Sequence, residues 1–146
     1  MTKDHDPKSR AWAALLTAHA TLIERIEAAL AEAQLPPLDW YDVLWELEKA
    51  EDGRLRMHEL ARRIVLSRSN LTRLADRLED AKLIEREDTP RDRRGYDCVI
   101  TRAGLAMRKK MWPVYRAGIE RLFSRHITVE EARTIGDALG RAVKAA

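Results

Sequence analysis

The stretch from Arg56 to Gly104 constrains the fold more than any other part of the 146-residue chain. It opens with two short segments whose apolar residues recur at helical spacing, and it continues with two β-rich runs at residues 83–87 and 96–100. Two short helices joined by a few residues form a helix-turn-helix, and two such runs form a hairpin. The pattern predicts a polar helix that fits a major groove, beside a hairpin whose basic loop can straddle a DNA backbone.

The second of these predicted helices, which carries leucines at 71, 74 and 78 on its apolar face, presents a polar face on its other side. The candidate DNA-contacting residues of that face are Ser67, Arg68, Ser69, Asn70, Thr72 and Arg73. Ser67 is predicted to cap the helix, hydroxyl groups suit phosphates, and Arg73 can pair with guanine through two hydrogen bonds. The alternative is an ordinary solvated helix face, which the neighbouring hairpin argues against.

The loop of the predicted hairpin is the second candidate DNA-binding element, and its arginines are Arg91, Arg93 and Arg94. Arginine side chains suit a narrow minor groove, where negative potential is concentrated. Asp92 stands among them, and we expect it to stabilise this wing by holding a neighbouring arginine through a charge-assisted hydrogen bond. The alternative is a mobile charged loop.

Some charged residues near these elements allow two interpretations. Asp76 shares the polar helix face and would be repelled by phosphate, so we expect it to pair with Arg73 or Arg77. Arg54, Arg56 and Arg86 are weaker candidates for contacts to the DNA backbone. Surface salt bridges with nearby acids are an equal alternative for all three.

The flanking segments are helical and apolar on one face. Residues 8–34 and 39–50 are predicted helices, with Asp39 as N-cap and Gly53 closing the second. A long helix follows Thr101, and Thr128 with Glu131 forms a capping box that opens the last helix. The residues that this last helix is expected to bury are Ala132, Ile135, Leu139 and Val143. Because a small winged lobe does not need this extra apolar surface, we expect a homodimer with twofold symmetry.

An effector pocket is a further hypothesis, placed between the dimer helices and the DNA-binding lobe. Its candidate lining residues are Trp12, His19, Trp40, Trp45, Met111, Trp112 and Tyr115. For each residue the alternative is ordinary packing in the core or the dimer interface, since aromatic residues at helical spacing usually pack. Cys98 could sense oxidants, but its strand phase favours a small buried apolar side chain.

Composition excludes several other classes. The net charge is only +3, so the distribution of basic residues matters more than their total. A lone cysteine excludes an intramolecular disulfide and a four-thiolate metal site. His58-Glu59 resembles the start of a zinc-protease motif, but Arg62 stands where the second histidine is required. We expect no metal, no cofactor, no enzymatic activity and no membrane span, in a cytoplasmic protein.

These motifs resemble the multiple-antibiotic-resistance regulator (MarR) family of winged-helix repressors. The matching residues are Glu59-Leu60-Ala61, the segment 66–78, Leu83-Ile84-Glu85-Arg86, Asp92 with Arg94, and Ile100-Thr101 with Gly104. Asp-x-Arg followed by a strand, Thr and Gly is the most specific element. Where the family commonly has glycine before the first wing strand, this chain has Lys82, which would store strain of roughly 1–2 kcal/mol if its backbone is left-handed.

The resemblance implies a fold that is mainly α-helical with a small β-hairpin wing, that is, a winged helix-turn-helix with a helical dimerisation region. It implies one MarR-type domain over 1–146, a DNA-binding lobe at 53–100 and dimerisation helices at 8–35 and 102–145. The implied function is that of a homodimeric, sequence-specific regulator of double-stranded DNA, a repressor that a small aromatic ligand could release. The alternative is a winged-helix module whose basic surface binds an acidic protein partner.

Overall fold

The fold is that of a computed structural model, which describes residues 6–65, 70–89 and 92–146. Within them the chain is mainly helical with a small antiparallel sheet, which confirms the predicted fold class. In chain order its elements are α1 (Pro7–Glu32), α2 (Leu38–Lys49), β1 (Arg54–Arg56), α3 (Met57–Arg63), α4 (Leu71–Asp80), β2 (Ile84–Thr89), β3 (Asp92–Ile100), α5 (Arg102–Leu122) and α6 (Val129–Ala145). Within the described ranges, no helix has the length and apolar character that crossing a bilayer requires.

The chain divides into two compact units. The first, which we call the helical ends, consists of Met1–Ala29 and Tyr115–Ala146. The second, which we call the winged lobe, is Leu30–Val114. The predicted helix-turn-helix and hairpin fall within the winged lobe.

The winged lobe has a hydrophobic core to which its helices and its sheet both contribute. The buried members of this core are Val43, Leu44, Leu47, Leu55, Leu60, Ile64, Leu71, Leu74, Ala75, Leu78, Leu83, Ile84 and Cys98. Leucines at 71, 74 and 78 are buried as the helical spacing of α4 predicts. Each fully buried leucine contributes about 1.5–3 kcal/mol through the hydrophobic effect.

The sheet has the strand order β1-β3-β2 and is larger than the predicted hairpin. The sequence did not predict β1, in which Leu55 pairs with Cys98 across the ladder. The wing strands also extend beyond the predicted runs, because β2 continues to Thr89 and β3 begins at Asp92. The prediction of a loop at 92–95 was therefore wrong. The charged stretch there lacks the apolar alternation that marks a strand, but pairing with β2 makes it one.

Two predicted helix ends are confirmed at the cap and others are not. Thr128 and Glu131 form the capping box of α6, and the Thr101 hydroxyl accepts a hydrogen bond from the Gly104 N–H at 3.0 Å. The N-cap of α2 is Pro37 instead of Asp39, because proline fixes the extended backbone just before the helix. Asn70 occupies the N-cap of α4, and Ser67, the predicted cap, lies outside the described residues.

Gly53 was predicted to close α2, but that helix already ends at Lys49. Gly53 instead ends a short 3-10 turn before β1, with a left-handed φ of +64°. A Cβ at this position would lie 2.9 Å from the Cγ2 atom of Ile100. The glycine is therefore required by the turn that leads into the sheet and not by the helix end.

The helical ends leave their apolar residues largely uncovered in the single chain. Ile135 is 36% exposed, Leu139 is 37% exposed and Val143 is 76% exposed on α6. The expectation that α6 buries these residues, together with Ala132, was wrong for an isolated chain, in which all four are exposed. On α1, Trp12 is 62% exposed.

Candidate nucleic-acid interface

Helix α4 presents a polar face to solvent while its leucines hold it to the core. Asn70, Thr72 and Arg73 are exposed, as the sequence predicted. Ser67, Arg68 and Ser69 lie outside the described residues. The described part of the predicted contact face is therefore open to solvent.

A long-range hydrogen bond holds the backbone just after α3, at Val65. The Val65 N–H donates to Oδ2 of Asp42 on α2 at 2.8 Å. The Val65 side chain itself is 76% exposed, so the backbone and not the side chain is anchored at this point. Sequence reasoning missed Asp42, because its partner is 23 residues away and no local pattern indicates the contact.

Arg86 on β2 binds the acidic side chains of α4 and does not face solvent as a free cation. Its Nη2 atom lies 2.7 Å from Oδ1 of Asp76 and 2.7 Å from Oε1 of Glu79. The Arg86 guanidinium also lies over the ring of Tyr96, with 5.4 Å from Cζ to the ring centroid. The salt-bridge interpretation of Arg86 is thus the observed one. The expectation that Asp76 pairs with Arg73 or Arg77 was wrong, because its partner is Arg86.

The wing carries the remaining candidate DNA contacts. Asp92, Arg93 and Arg94 lie in β3, at the end of the strand pair nearest the hairpin tip. Arg91 is outside the described residues, as are the side chains of the other three. The ladder is irregular between Asp88 and Thr89, which is the change of register expected where a hairpin approaches its turn.

Arg54 and Arg56 lie on β1, the edge strand that β3 separates from β2. The Arg54 guanidinium forms ion pairs with Glu87 and with Asp97, the latter at 3.8 Å. The salt-bridge alternative therefore describes Arg54 as well. Both arginines line a polar cavity of about 390 Å³ together with Glu51, Asp52, Glu59, Arg63 and Asp97. No effector-pocket candidate lines this cavity.

The effector-pocket candidates fall in both units. Trp12, His19 and Tyr115 belong to the helical ends, and the others to the winged lobe. Within the lobe, Trp112 stacks on Tyr41 with ring centroids 6.1 Å apart.

Trp45 lies next to cations, with Arg108 5.1 Å and Lys49 5.4 Å from its ring centroid. Trp40 packs on the core of the lobe, and Met111 is fully buried.

Cys98 is fully buried in the sheet, which agrees with the prediction of a small apolar side chain. Its Sγ atom lies 3.4 Å from the sulfur of Met57. Burial raises the pKa of the Cys98 thiol to about 11, because the thiolate would lose its hydration there. The thiol is therefore protonated at neutral pH and poorly reactive toward oxidants.

The base of the wing is joined to the start of α5. The Thr101 hydroxyl donates to the Lys82 carbonyl at 2.7 Å, and the Thr101 N–H donates to the Leu83 carbonyl at 3.1 Å. Lys82 has a left-handed φ of +64°, which confirms the strained backbone that the departure from glycine implied. A Cβ at Gly104 would collide with the Leu83 carbonyl oxygen, so only glycine fits there.

A helix-turn-helix followed by a paired-strand wing defines this molecule as a winged-helix protein. The model of the MarR family matches residues 33–95 of the chain. This match and the likenesses described next show that the chain is similar to regulators of the MarR family.

Solved structures of MarR family regulators resemble the chain over most of its length. AbsC from Streptomyces coelicolor is 29% identical with a TM-score of 0.84, covering 96% of this chain and 95% of that one. Sco3205 from the same organism, solved in complex with DNA, is 25% identical with a TM-score of 0.85, covering 92% and 84%. A mutant MarR from E. coli complexed with operator DNA shares the fold at 20% identity, with a TM-score of 0.78 and 97% of both chains covered. The comparison with curated proteins gives no significant match.

Proposed function

We propose that this chain is a homodimeric transcriptional regulator that binds a pseudo-palindromic operator in double-stranded DNA and acts in the cytoplasm as a repressor. The observation that carries the proposal is the pairing of an exposed polar face on α4 with an adjacent two-stranded wing. The match to the MarR family model and the DNA complexes of two similar regulators support it. The exposed Thr72 and Arg73 would enter the major groove, and the wing arginines would reach the minor groove.

The dimer is inferred from the helical ends. Ile135 and Leu139 on α6 lie one turn apart and leave more than a third of their surface uncovered in the single chain. Trp12 and Leu16 form a similar uncovered pair on α1. A second copy of the chain would remove this apolar surface from water, and a twofold dimer presents two recognition helices to half-sites about 10 base pairs apart.

We further propose release of the operator by a small aromatic acid. The support is the exposed Trp45, 37% accessible, with the Arg108 and Lys49 cations beside its ring. An aromatic anion stacked on the indole would compete for these cations with Glu48, 2.9 Å from Arg108, and with Glu46, 2.9 Å from Lys49. Benzoate is a suitable probe: it should weaken operator binding by the wild type, and Trp45→Ala should remove this response. Equal operator affinity with and without benzoate would contradict ligand release.

The test of the DNA-binding proposal is a fluorescence anisotropy titration with a duplex from the promoter of the chain's own gene and with a scrambled duplex. We expect the promoter duplex to bind about a thousandfold more tightly, with affinity falling steeply as salt rises. Arg94→Ala should weaken operator binding about tenfold, the scale of one good arginine contact, without changing the dimer mass. Arg125→Ala, on an exposed residue of the helical ends, is the matched control.

Arg73→Ala separates base reading from phosphate contact. If Arg73 reads a base, its loss relaxes discrimination at one operator position and leaves the salt dependence nearly unchanged. If the salt slope falls instead by about one unit, Arg73 is a phosphate contact. Binding that shows neither selectivity nor steep salt dependence would overturn the regulator proposal in favour of an acidic protein partner.

A further inference from the structure

Asp76 puts a negative charge on the face of α4 that the proposed function turns toward DNA. It follows Thr72 by four residues and Arg73 by three, so the three side chains share one face of the helix. The Asp76 side chain is 52% exposed. A free carboxylate at this position would repel the phosphate backbone.

Arg86 reaches this carboxylate from outside the helix. Its Nη2 atom, 2.7 Å from Oδ1 of Asp76, is close enough for a charge-assisted hydrogen bond. Because Arg86 lies on β2, the compensating charge comes from the wing strand and not from α4 itself. Neither Arg73 nor Arg77 on α4 supplies it.

The position of the Arg86 guanidinium is fixed by groups other than Asp76. Its Nε and Nη2 atoms both donate to Oε1 of Glu79, at 3.1 and 2.7 Å, and its backbone N–H donates to Oε2 at 3.1 Å. The ring of Tyr96 covers one face of the guanidinium. Only 24% of the Arg86 side chain is exposed, so it is anchored beside Asp76 and is not available as a long mobile contact to phosphate.

We propose that Arg86 is a positioning residue that partly offsets the charge of Asp76, so that the recognition helix can approach a phosphate backbone. The inference rests on the proposed function, because it assigns Asp76 to the DNA-facing surface. Glu79 serves as the anchor of Arg86, and its carboxylate is less exposed, at 37%.

The experiment compares operator affinity for wild type, Arg86→Gln, Asp76→Asn and two double variants by anisotropy at about 0.1 M salt, where charge interactions remain measurable. One double variant joins Arg86→Gln with Asp76→Asn, and the other joins Arg86→Gln with Glu79→Gln. The two doubles have the same net charge and differ only in which acid is neutralised. Active concentrations are set by stoichiometric titration, so that an unfolded fraction is not counted as weaker binding.

We expect Arg86→Gln to weaken operator binding about tenfold, because Asp76 then faces phosphate unpaired. The double variant with Asp76→Asn should recover most of this loss, and the double variant with Glu79→Gln should recover little. Asp76→Asn alone should bind at least as tightly as wild type, which also tests the inference if Arg86→Gln fails to fold.

Three results would overturn the inference: wild-type affinity in Arg86→Gln, equal recovery by both double variants, or weaker binding by Asp76→Asn alone. Failure of Asp76→Asn to rescue Arg86→Gln, with a salt slope lower by about one unit, would make Arg86 a phosphate contact instead. A wild type that binds no duplex selectively would defeat the proposed function itself. If the wild type binds the operator selectively, the proposed function stands, and the other outcomes test only the role of Arg86.

Discussion

In the winged lobe, leucines from α2, α3 and α4 close over a shared core, whereas in the helical ends the apolar residues of α1 and α6 face outward. Leu44, Leu60 and Leu78 are fully buried within one chain. Val143 is 76% exposed and Trp12 is 62% exposed. Among the described residues of the helical ends, Ile26 is the apolar side chain that is buried. The lobe therefore closes a hydrophobic core within one chain, and the ends leave apolar surface that the proposed dimer would cover.

The first prediction tests whether the stability of the lobe core is independent of association with another chain. Leu60→Ala removes a fully buried side chain and should lower the free energy of unfolding by about 2–5 kcal/mol. Chemical denaturation should give the same loss at low and high protein concentration, because a core within one chain does not depend on association. Val65→Ala, on a 76% exposed residue of the same lobe, should stay within about 0.5 kcal/mol of wild type. Equal losses for the two variants would show that burial of Leu60 does not contribute to stability.

The next effect concerns the helical ends. Replacing Ile135 and Leu139 together by glutamate places charges on the uncovered face of α6 and should weaken dimerisation at least about a hundredfold. Light scattering after size exclusion would show the mass of one chain where the wild type shows two. Asp137→Arg, an exposed change on another face of α6, should leave the mass unchanged. A wild type that is already monomeric would contradict a second copy of the chain as the cover for this face.

A smaller effect is a dependence of stability on pH, which tests how well the lobe core shields the Cys98 thiol from water. Since burial raises the pKa of Cys98 from 9.0 to about 11, the folded state keeps its thiol protonated while the unfolded state ionises. The stability that the neutral thiol provides is complete below pH 9 and is lost as pH rises toward 11. The stability advantage of wild type over Cys98→Ala should narrow by about 2 kcal/mol between these values. A constant difference would mean that the thiol is not shielded from water.

The smallest expected effect is a gain. Lys82→Gly relieves a left-handed backbone at the base of the wing and should raise the free energy of unfolding by about 1 kcal/mol. Thermal denaturation would detect this as a higher midpoint. Lys109→Gly, on an exposed residue inside α5, is the opposite control and should lower stability by about 1 kcal/mol. A loss of stability in Lys82→Gly would show that the lysine side chain contributes more than its backbone costs.

The parts of the fold that the sequence predicted are those set by local patterns. The burial of Leu71 and Leu74 follows from helical spacing, and the α6 capping box follows from Thr128 and Glu131 three residues apart. The left-handed residue at 82 was indicated by its place in the family pattern.

The features that the sequence did not predict depend on residues far apart in the chain. Strand β1 is three residues long and exists because Leu55 pairs with Cys98. The pairing of Asp76 with Arg86 was missed because spacing along a helix indicates only partners on that helix, while Arg86 arrives from a strand. In the candidate site, the exposed face of α4 was predictable, but the ion pair between Asp76 and Arg86 was not.

The end of α4, the base of the wing and the start of α5 meet at Gly104. The carbonyl that leaves no room for a side chain at this glycine is also the one that accepts the Thr101 N–H. Any larger residue at 104 would have to displace Leu83, and with it the end of α4, the root of the wing and the first turn of α5 together. A mutation there would therefore disturb all three elements at once.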